Sequence, residues 1–494
     1  MPKDLLRNAR LSKDVLPIVE NFLSSMKDDV KIAFYDVLGT QVHNIMLIEQ
    51  GIVKKEEGMR ILGELQAIKQ EIIENSIKYD MSFEDIHPFI EDRVIQKIGI
   101  EIGGKLHSGR SRNDQVVLDI KLKIRDDIIF LASKLLQLGD LFLSLAEKYE
   151  ATICPLYTHT QRAQIGSFSH YFLSYATELL RHLSRLWDCL NRTNSNPLGA
   201  GAVGGTSFTI DRQRTTDLLG FDTIQVNSLD AVSSRDYTLE LISVYSILAI
   251  FISRIAEDLV LWSSGEFKFI IFDDTFSSVS SALPQKKNPD TAELLRAGSA
   301  EIIGKMLATF MIQKSLCSGY NRDFQQIKPL IWDSQEKLSS CLDILIGIIS
   351  SFKINDKNME SATLESNLIA LDIAEYLVIS YGISFRMAHS IIGTLVQQNG
   401  QNLTNSKEIQ KIAKEKFNLS LQINQQELDR FRNPRYCLEM RKSLGNPSQK
   451  QQENMIQDLK RDFSQVKEKF DAKNKYIKAC YEKINDIVVQ YIQG

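Results

Sequence analysis

The chain has 494 residues, with Lys+Arg 59 against Asp+Glu 62 and a formal net charge of -3. That balance provides no basic field for nucleic acid and no long acidic tail, and the length exceeds what one small core serves, so two or three domains are expected. The six cysteines (Cys154, Cys189, Cys317, Cys341, Cys437 and Cys480) form no Cys-x-x-Cys pair, which excludes the commonest metal and redox spacings and fits a reduced, intracellular compartment.

The opening stretch, "MPKDLLRNARLSKDV", lacks the apolar core of a signal peptide. An N-terminal helical region then runs to the loop "EIGGKLHSGRSRNDQ" and closes near residue 111. From 116 to 148, Ile124, Ile128, Leu131, Leu135, Leu138, Phe142 and Leu145 step alternately by four and three, which is a coiled-coil-like seam. A second row, Leu122, Ile129, Leu136 and Leu143, repeats every seven residues, so this helix needs more than one neighbour. The segment 162–192 is expected to be the next long helix. The segment 238–264 is apolar nearly all round. Its strongest run, Leu241 to Ser253, is 13 residues between Glu240 and Arg254, short for a membrane span and suited to a buried helix. A fourth long helix is expected over 291–316. Four helices of about 40 Å each predict an elongated bundle whose surplus apolar surface continues into other subunits. The polar stretch 351–363 closes it, and short helices lead to a charged helix over 449–492. The fold class is therefore all-α, with domains at 1–111, 112–361 and 362–494.

Four polar clusters lie at the ends of these apolar helices. In "SSALPQKKNPD", residues 280 to 290, Asn288-Pro289 predicts a helix start with Asn as the cap. Free N–H groups and Lys286 then share a volume that suits a carboxylate, and Glu293 lies about one turn further on. Ser280 and Ser281 sit among small residues, and a serine beside a lysine acts as a base where positive charge favours its alkoxide. The plain alternative is a capped helix behind a surface loop. In "KLHSGRSRNDQV" (105–116), two arginines bracket a serine ahead of Asn113-Asp114; a simple N-cap with solvated arginines reads equally well. In "YTHTQRAQ" (157–164), Thr158 and His159 come just before a long helix. A lone histidine is more often structural, but a polar loop favours function. In "GYNRDFQQIK" (319–328), Tyr320, Gln325 and Lys328 share one side of a turn, or belong to a solvated connector. None of the clusters has metal-ligand spacing. "GAGAVGGT" (199–206) sits among helices and lacks the lysine of a phosphate loop. The chemistry on offer is acid/base catalysis on a carboxylate, with no cofactor and no metal.

"SSALPQKKNPD" resembles the signature loop of the fumarase/aspartase superfamily, and "HSGRSRNDQV" with "YTHTQRAQ" resembles the argininosuccinate lyase and delta crystallin branch. "AEDLVLWSSGEFKFI" and "YNRDFQQIK" match as well, and the likeness extends from about Phe22 to the "RKSLGNPS" segment at 441–448. The resemblance implies a three-domain fold whose long helices form a twenty-helix core in a homotetramer, with each active site assembled from three subunits. It implies a cytoplasmic enzyme that reversibly cleaves argininosuccinate to arginine and fumarate, with no nucleic-acid or membrane partner. Carried over position by position, it assigns chemistry to His159, Ser280, Lys286 and Glu293, and leaves open whether Ser280 or His159 is the base. It assigns substrate binding to Ser25, Asp29, Arg112, Asn113, Thr158, Arg235, Asn288, Tyr320, Gln325 and Lys328.

The sequence departs from the family pattern in places. Val279 stands where Gly usually precedes the serine, and a β-branched residue there resists positive φ. Leu283 replaces Met, Thr160 replaces Leu and Ser108 replaces Thr. None of these removes a reacting group. The alternatives within the resemblance are an adenylosuccinate lyase-like enzyme and a non-catalytic, crystallin-like structural protein. Gln285-Lys286-Lys287 and the Arg-Ser-Arg-Asn-Asp run disfavour the first, and retention of the reacting groups disfavours the second.

Overall fold

The structure is a computed structural model that describes Lys13, residues 15–399 and residues 402–493; the reading of the opening stretch falls largely outside these residues. After two short helices, Pro17–Leu23 and Met26–Asp29, an N-terminal layer comprises α1 (Ala33–Glu49), α2 (Lys55–Ile73) and α3 (Ile86–Ile98). Then come α4 (Arg112–Lys148), a ribbon of β1 (Ile153–Thr158) and β2 (Gln161–Ser167), α5 (Phe168–Thr193) and α6 (Asp236–Ser263). A small ribbon of β3 (Ser278–Val279) and β4 (Lys287–Asn288) precedes α7 (Asp290–Gln313), followed by α8 (Ile327–Ser351). Among the C-terminal helices are α9 (Ala370–Tyr381), α10 (Phe385–Asn399), α11 (Ser406–Phe417) and the long α12 (Gln449–Gln493). Strands among the described residues are confined to two-stranded ribbons, so the all-α expectation stands.

α4 begins where its sequence chemistry puts it. Ser111 Oγ accepts the Asn113 N–H at 3.2 Å, and Asp114 Oδ1 accepts the Ser111 N–H at 2.9 Å, a reciprocal cap at the first turn. Both apolar rows are buried. Ile124, Ile128, Leu131, Leu135, Leu138 and Phe142 are fully covered, and Leu122, Ile129, Leu136 and Leu143 nearly so. The other bundle helices cover one face and α12 returns along another, where Phe463 lies on Gly139. The chain thus covers its own double seam, and the surplus expected on α4 is largely absent. Exposed apolar side chains lie instead on α6 and α7, among them Ile247, Ile250, Leu294, Leu307, Phe310 and Met311.

Three expectations are corrected. Residues 162–167 are strand, not helix: they pair with β1 from Ile153–Ser167 to Thr158–Gln161, and α5 starts only after Ser167, whose Oγ accepts the His170 N–H at 3.2 Å. α7 starts at Asp290 with Pro289 at the cap position and no side-chain cap, because Asn288 is held in β4 opposite Ser278. The bundle has a fifth long helix, α8. It is entered from a 3₁₀ turn without a capping side chain and carries Pro329 in its first turn, so the usual start signals are missing.

A second core gathers Ile373, Leu377, Ile391, Leu395, Ile409 and Phe431, with Ile153 and Ile165 of the ribbon joining it. The ribbon is thereby anchored at its base while its tip is exposed.

Packing at α4 gives a test of opposite signs. A Cβ at Gly139 would lie 2.3 Å from the Phe463 ring, whereas at Gly63 in α2 nothing lies within 4 Å. Gly63→Ala should stabilise by up to about 1 kcal/mol through helix propensity. Gly139→Ala should destabilise by about 1–3 kcal/mol because the ring must be displaced. Thermal denaturation of the two variants checks this; a gain for Gly139→Ala would refute the α4–α12 packing.

Candidate active site

A cleft of about 370 Å³ opens where three distant stretches meet: the turn at Ser25 and Asp29, the start of α4, and the Tyr320–Lys328 segment leading into α8. Seven of the expected binding residues line it: Ser25, Asp29, Arg112, Asn113, Tyr320, Gln325 and Lys328. Glu84, Asp85, His87 and Arg322 join them; the sequence reading missed these four. The signal that could have found the first three is "FEDIHPF", an acidic pair and a histidine at a helix start.

Lys328 forms a buried ion pair with Asp29; the two are 5% and 0% exposed. Ser25 Oγ donates to the other Asp29 oxygen at 2.6 Å. The carboxylate thus has a partner on each oxygen, the condition under which a buried pair persists. Leu23 O accepts from Gln325 Nε2 at 3.0 Å and from Arg322 Nη2 at 2.7 Å, so the N-terminal turn is clamped to the segment before α8. Arg322 also pairs with Glu84 at 2.7 Å.

Arg112 and Asn113 are the first two residues of α4, on the positive end of its dipole. Arg112 Nη1 lies 3.0 Å from Asp85 Oδ2. Asn113 Nδ2 donates to Ala202 O at 3.1 Å, and Asp114 Oδ2 accepts the N–H groups of Gly199 and Gly201 at 2.9 and 2.8 Å. The glycine-rich stretch therefore serves to fasten the α4 start, with Gly199 and Gly201 at φ +89° and +64°, where a side chain is strained. Burial pushes the Asp114 carboxyl up, against the pull of these N–H groups. Burial likewise raises the Tyr320 phenol, leaving it a neutral hydrogen-bonding group. The cleft is thus lined by charges of both signs, paired as Lys328 with Asp29, Arg112 with Asp85 and Arg322 with Glu84.

The remaining expected residues lie outside this cleft. Arg235 is buried behind Phe324, 4.5 Å from the ring centroid, and donates to Val232 O and Ser234 O. Thr158 ends β1, and His159 with Thr160 forms a two-residue turn in which both have positive φ, 53° and 58°. This is the twist a tight hairpin requires, here adopted without glycine. It presents His159 to solvent at the ribbon tip. Ser280 lies in the β3–β4 loop, where its Oγ accepts the N–H groups of Ala282 at 3.3 Å and Leu283 at 3.0 Å. Lys286 and Glu293 are exposed, and Asn288 is half-buried in β4. Val279 adopts an extended backbone paired with Lys287, so the anticipated conflict with positive φ does not arise.

The ion pair provides a stability test. Lys328→Met leaves Asp29 buried without a counter-charge and should cost about 3–5 kcal/mol. Adding Asp29→Asn should recover most of that loss. Urea denaturation reads both; a neutral Lys328→Met would contradict the buried pairing.

A family profile described as "Lyase" matches residues 9–304, and a profile described as "Argininosuccinate lyase C-terminal" matches residues 367–439. The argininosuccinate lyase of Nitrosopumilus maritimus is 48% identical over 389 residues, covering 79% of each chain. That of Methanocaldococcus jannaschii is 36% identical over 488 residues, covering 99% of each. Among solved structures, EDDS lyase in complex with formate aligns with a TM-score of 0.84 at 25% identity, over 94% of this chain and 93% of that one. Class II fumarase from Schistosoma mansoni shares the fold alone, with a TM-score of 0.69 at 16% identity over 82% of this chain and 90% of that one. The bundle, the cleft and these likenesses together lead to one conclusion: the chain belongs to the argininosuccinate lyase family of the fumarase/aspartase superfamily.

Proposed function

We propose that this enzyme reversibly cleaves argininosuccinate to L-arginine and fumarate by β-elimination, in the cytoplasm and as a homotetramer. The observation that carries the substrate reading is the two-signed cleft. Its cations suit carboxylates, and its acidic edge suits a guanidinium and an ammonium. Ser25, Asp29, Arg112, Asn113, Tyr320, Gln325 and Lys328 bind substrate from this side. Thr158, Asn288 and Arg235 complete or support the site.

The chemistry follows from the substrate. The proton to be removed lies next to a carboxylate and is weakly acidic. Its loss puts extra negative charge on that carboxylate, which fixed cations and N–H dipoles must hold. Ser280 removes the proton. Two backbone N–H groups already donate to its Oγ, and such donation favours an alkoxide. Lys286 and the α7 N-terminus hold the developing charge. His159, oriented by Glu293, acts on the leaving nitrogen side.

Oligomerisation is part of this reading. Within one chain His159, Ser280, Lys286 and Glu293 do not line the cleft, so a complete site needs copies from neighbouring subunits. The exposed apolar residues of α6 and α7 supply the contact surface. Five long helices per chain give the twenty-helix core. The division at 1–111, 112–361 and 362–494 fits this assembly, with the second core built mostly from the last part and joined by Ile153 and Ile165 of the ribbon.

Fumarate release from argininosuccinate, followed by ultraviolet absorbance, is the direct test; no release by pure enzyme, with intact fold, would end the proposal. Ser280→Ala should lower kcat by about 10²–10⁴-fold with KM little changed, and Ser281→Ala should be far milder. A crippled Ser281→Ala beside an active Ser280→Ala would move the role by one residue. Mixing inactive His159→Asn and Ser280→Ala subunits should restore part of the activity. No recovery in confirmed mixed oligomers would refute the shared site.

A further inference from the structure

Behind the cleft, three helices bring three ionisable side chains together. Asp36 comes from α1, His87 from α3 and Asp119 from α4, with side-chain exposures of 0%, 4% and 0%. His87 Nδ1 faces Asp36 Oδ2 at 3.4 Å and Asp119 Oδ2 at 3.6 Å. Both ring nitrogens, Asp36 Oδ2 and both Asp119 oxygens are buried without hydrogen-bond partners.

Two carboxylates this close in a dry place cannot both ionise without a cation between them. Their surroundings push them apart. Burial, followed by the charge of Asp36, raises the Asp119 carboxyl well above its usual range. Burial also works to raise Asp36, but His87, Arg110 and the Gln115 amide outweigh it and hold Asp36 below its usual range. The charged groups that act on Asp119 and on the neighbouring Arg110 are Asp36 on α1, Glu91 on α3, Asp114 on α4, Asp29, and Lys328 on α8. His87 is also tied to the cleft through its backbone. Its N–H donates to Asp85 Oδ1 at 3.1 Å, and Asp85 Oδ2 accepts from Arg112.

We propose that His87 is a positioning residue of the cleft: lodged between the Asp36 and Asp119 carboxyls, it fixes the first turn of α3 and, through Asp85, the guanidinium of Arg112. In this arrangement Asp119 holds its proton to higher pH than an exposed carboxyl does. The same arrangement keeps a second bare carboxylate from forming beneath Lys328, where it would repel an anionic substrate. This inference rests on the lyase reading for its kinetic consequence, but the proton arrangement itself can be tested without turnover.

The experiment compares wild type, His87→Gln and Asp119→Asn across pH, in fumarate release and in thermal unfolding. His87→Gln should raise KM by about tenfold or more with a smaller change in kcat, because a displaced Arg112 weakens ground-state binding. Asp119→Asn should remove whatever rise in KM with pH comes from ionisation of Asp119, since the amide cannot ionise. In unfolding, a carboxyl whose folded value is raised stabilises at low pH and loses that contribution as pH rises through the folded value. Asp119→Asn should therefore gain stability relative to wild type as pH rises above the ordinary carboxylate range. A difference in unfolding temperature that stays constant with pH would overturn the proton arrangement. Wild-type KM in His87→Gln would overturn the positioning role. If wild type released no fumarate, the lyase reading would fail, and the unfolding profile would still decide the buried cluster. If His87→Gln did not fold, the near-isosteric Asp119→Asn would carry the decision alone.

Discussion

The buried pair of Lys328 and Asp29 is the constraint on which the site depends. Taking both charges out of water is costly, and the cost is offset only if each keeps its partners. Ser25 supplies the second contact to the carboxylate. Meeting this requirement fixes the N-terminal turn against the start of α8, stretches some 300 residues apart in sequence. Leu23 O, shared by Gln325 and Arg322, holds the same junction from outside. The start of α4 then completes the cleft, pinned in turn by Asp114 and the glycine-rich stretch.

The site residues divide into two structural kinds. Of the expected binding residues in the cleft, Ser25, Asp29, Arg112, Asn113 and Lys328 sit at helix ends and Tyr320 and Gln325 on the segment before α8, and all seven are buried or half-buried. The expected reacting groups His159, Ser280 and Lys286 sit on two ribbons that project from the bundle. Such a division suits an enzyme in which one surface recognises and another, brought by a neighbouring copy, reacts. The proposed neighbouring copies would also cover the apolar side chains exposed on α6 and α7.

Much of this was legible in the sequence because it rests on local rules. The seam of α4 follows from its heptad spacing, and its start from Ser111 and Asp114. Other features were not legible, for physical reasons. The ribbon at 153–167 reads as the approach to a helix, because its turn is made by His159 and Thr160, residues that seldom take positive φ. α8 carries no cap and has an early proline. Glu84, Asp85 and His87 reach the cleft through tertiary contacts, and the pairing of Lys328 with Asp29 has no local signature. The resemblance to known lyases supplied residues such as Ser25 and Asp29, which spacing alone would not have singled out.

The central claim is that one chain's cleft holds the substrate while reacting groups arrive from other copies. A crystal structure of the Ser280→Ala enzyme soaked with argininosuccinate tests it most directly. The account predicts substrate density contacting Ser25, Asn113, Gln325 and Lys328 of one chain, with His159 and residue 280 at the scissile bond contributed by two other chains. Substrate bound elsewhere, or a site completed by a single chain, would contradict it.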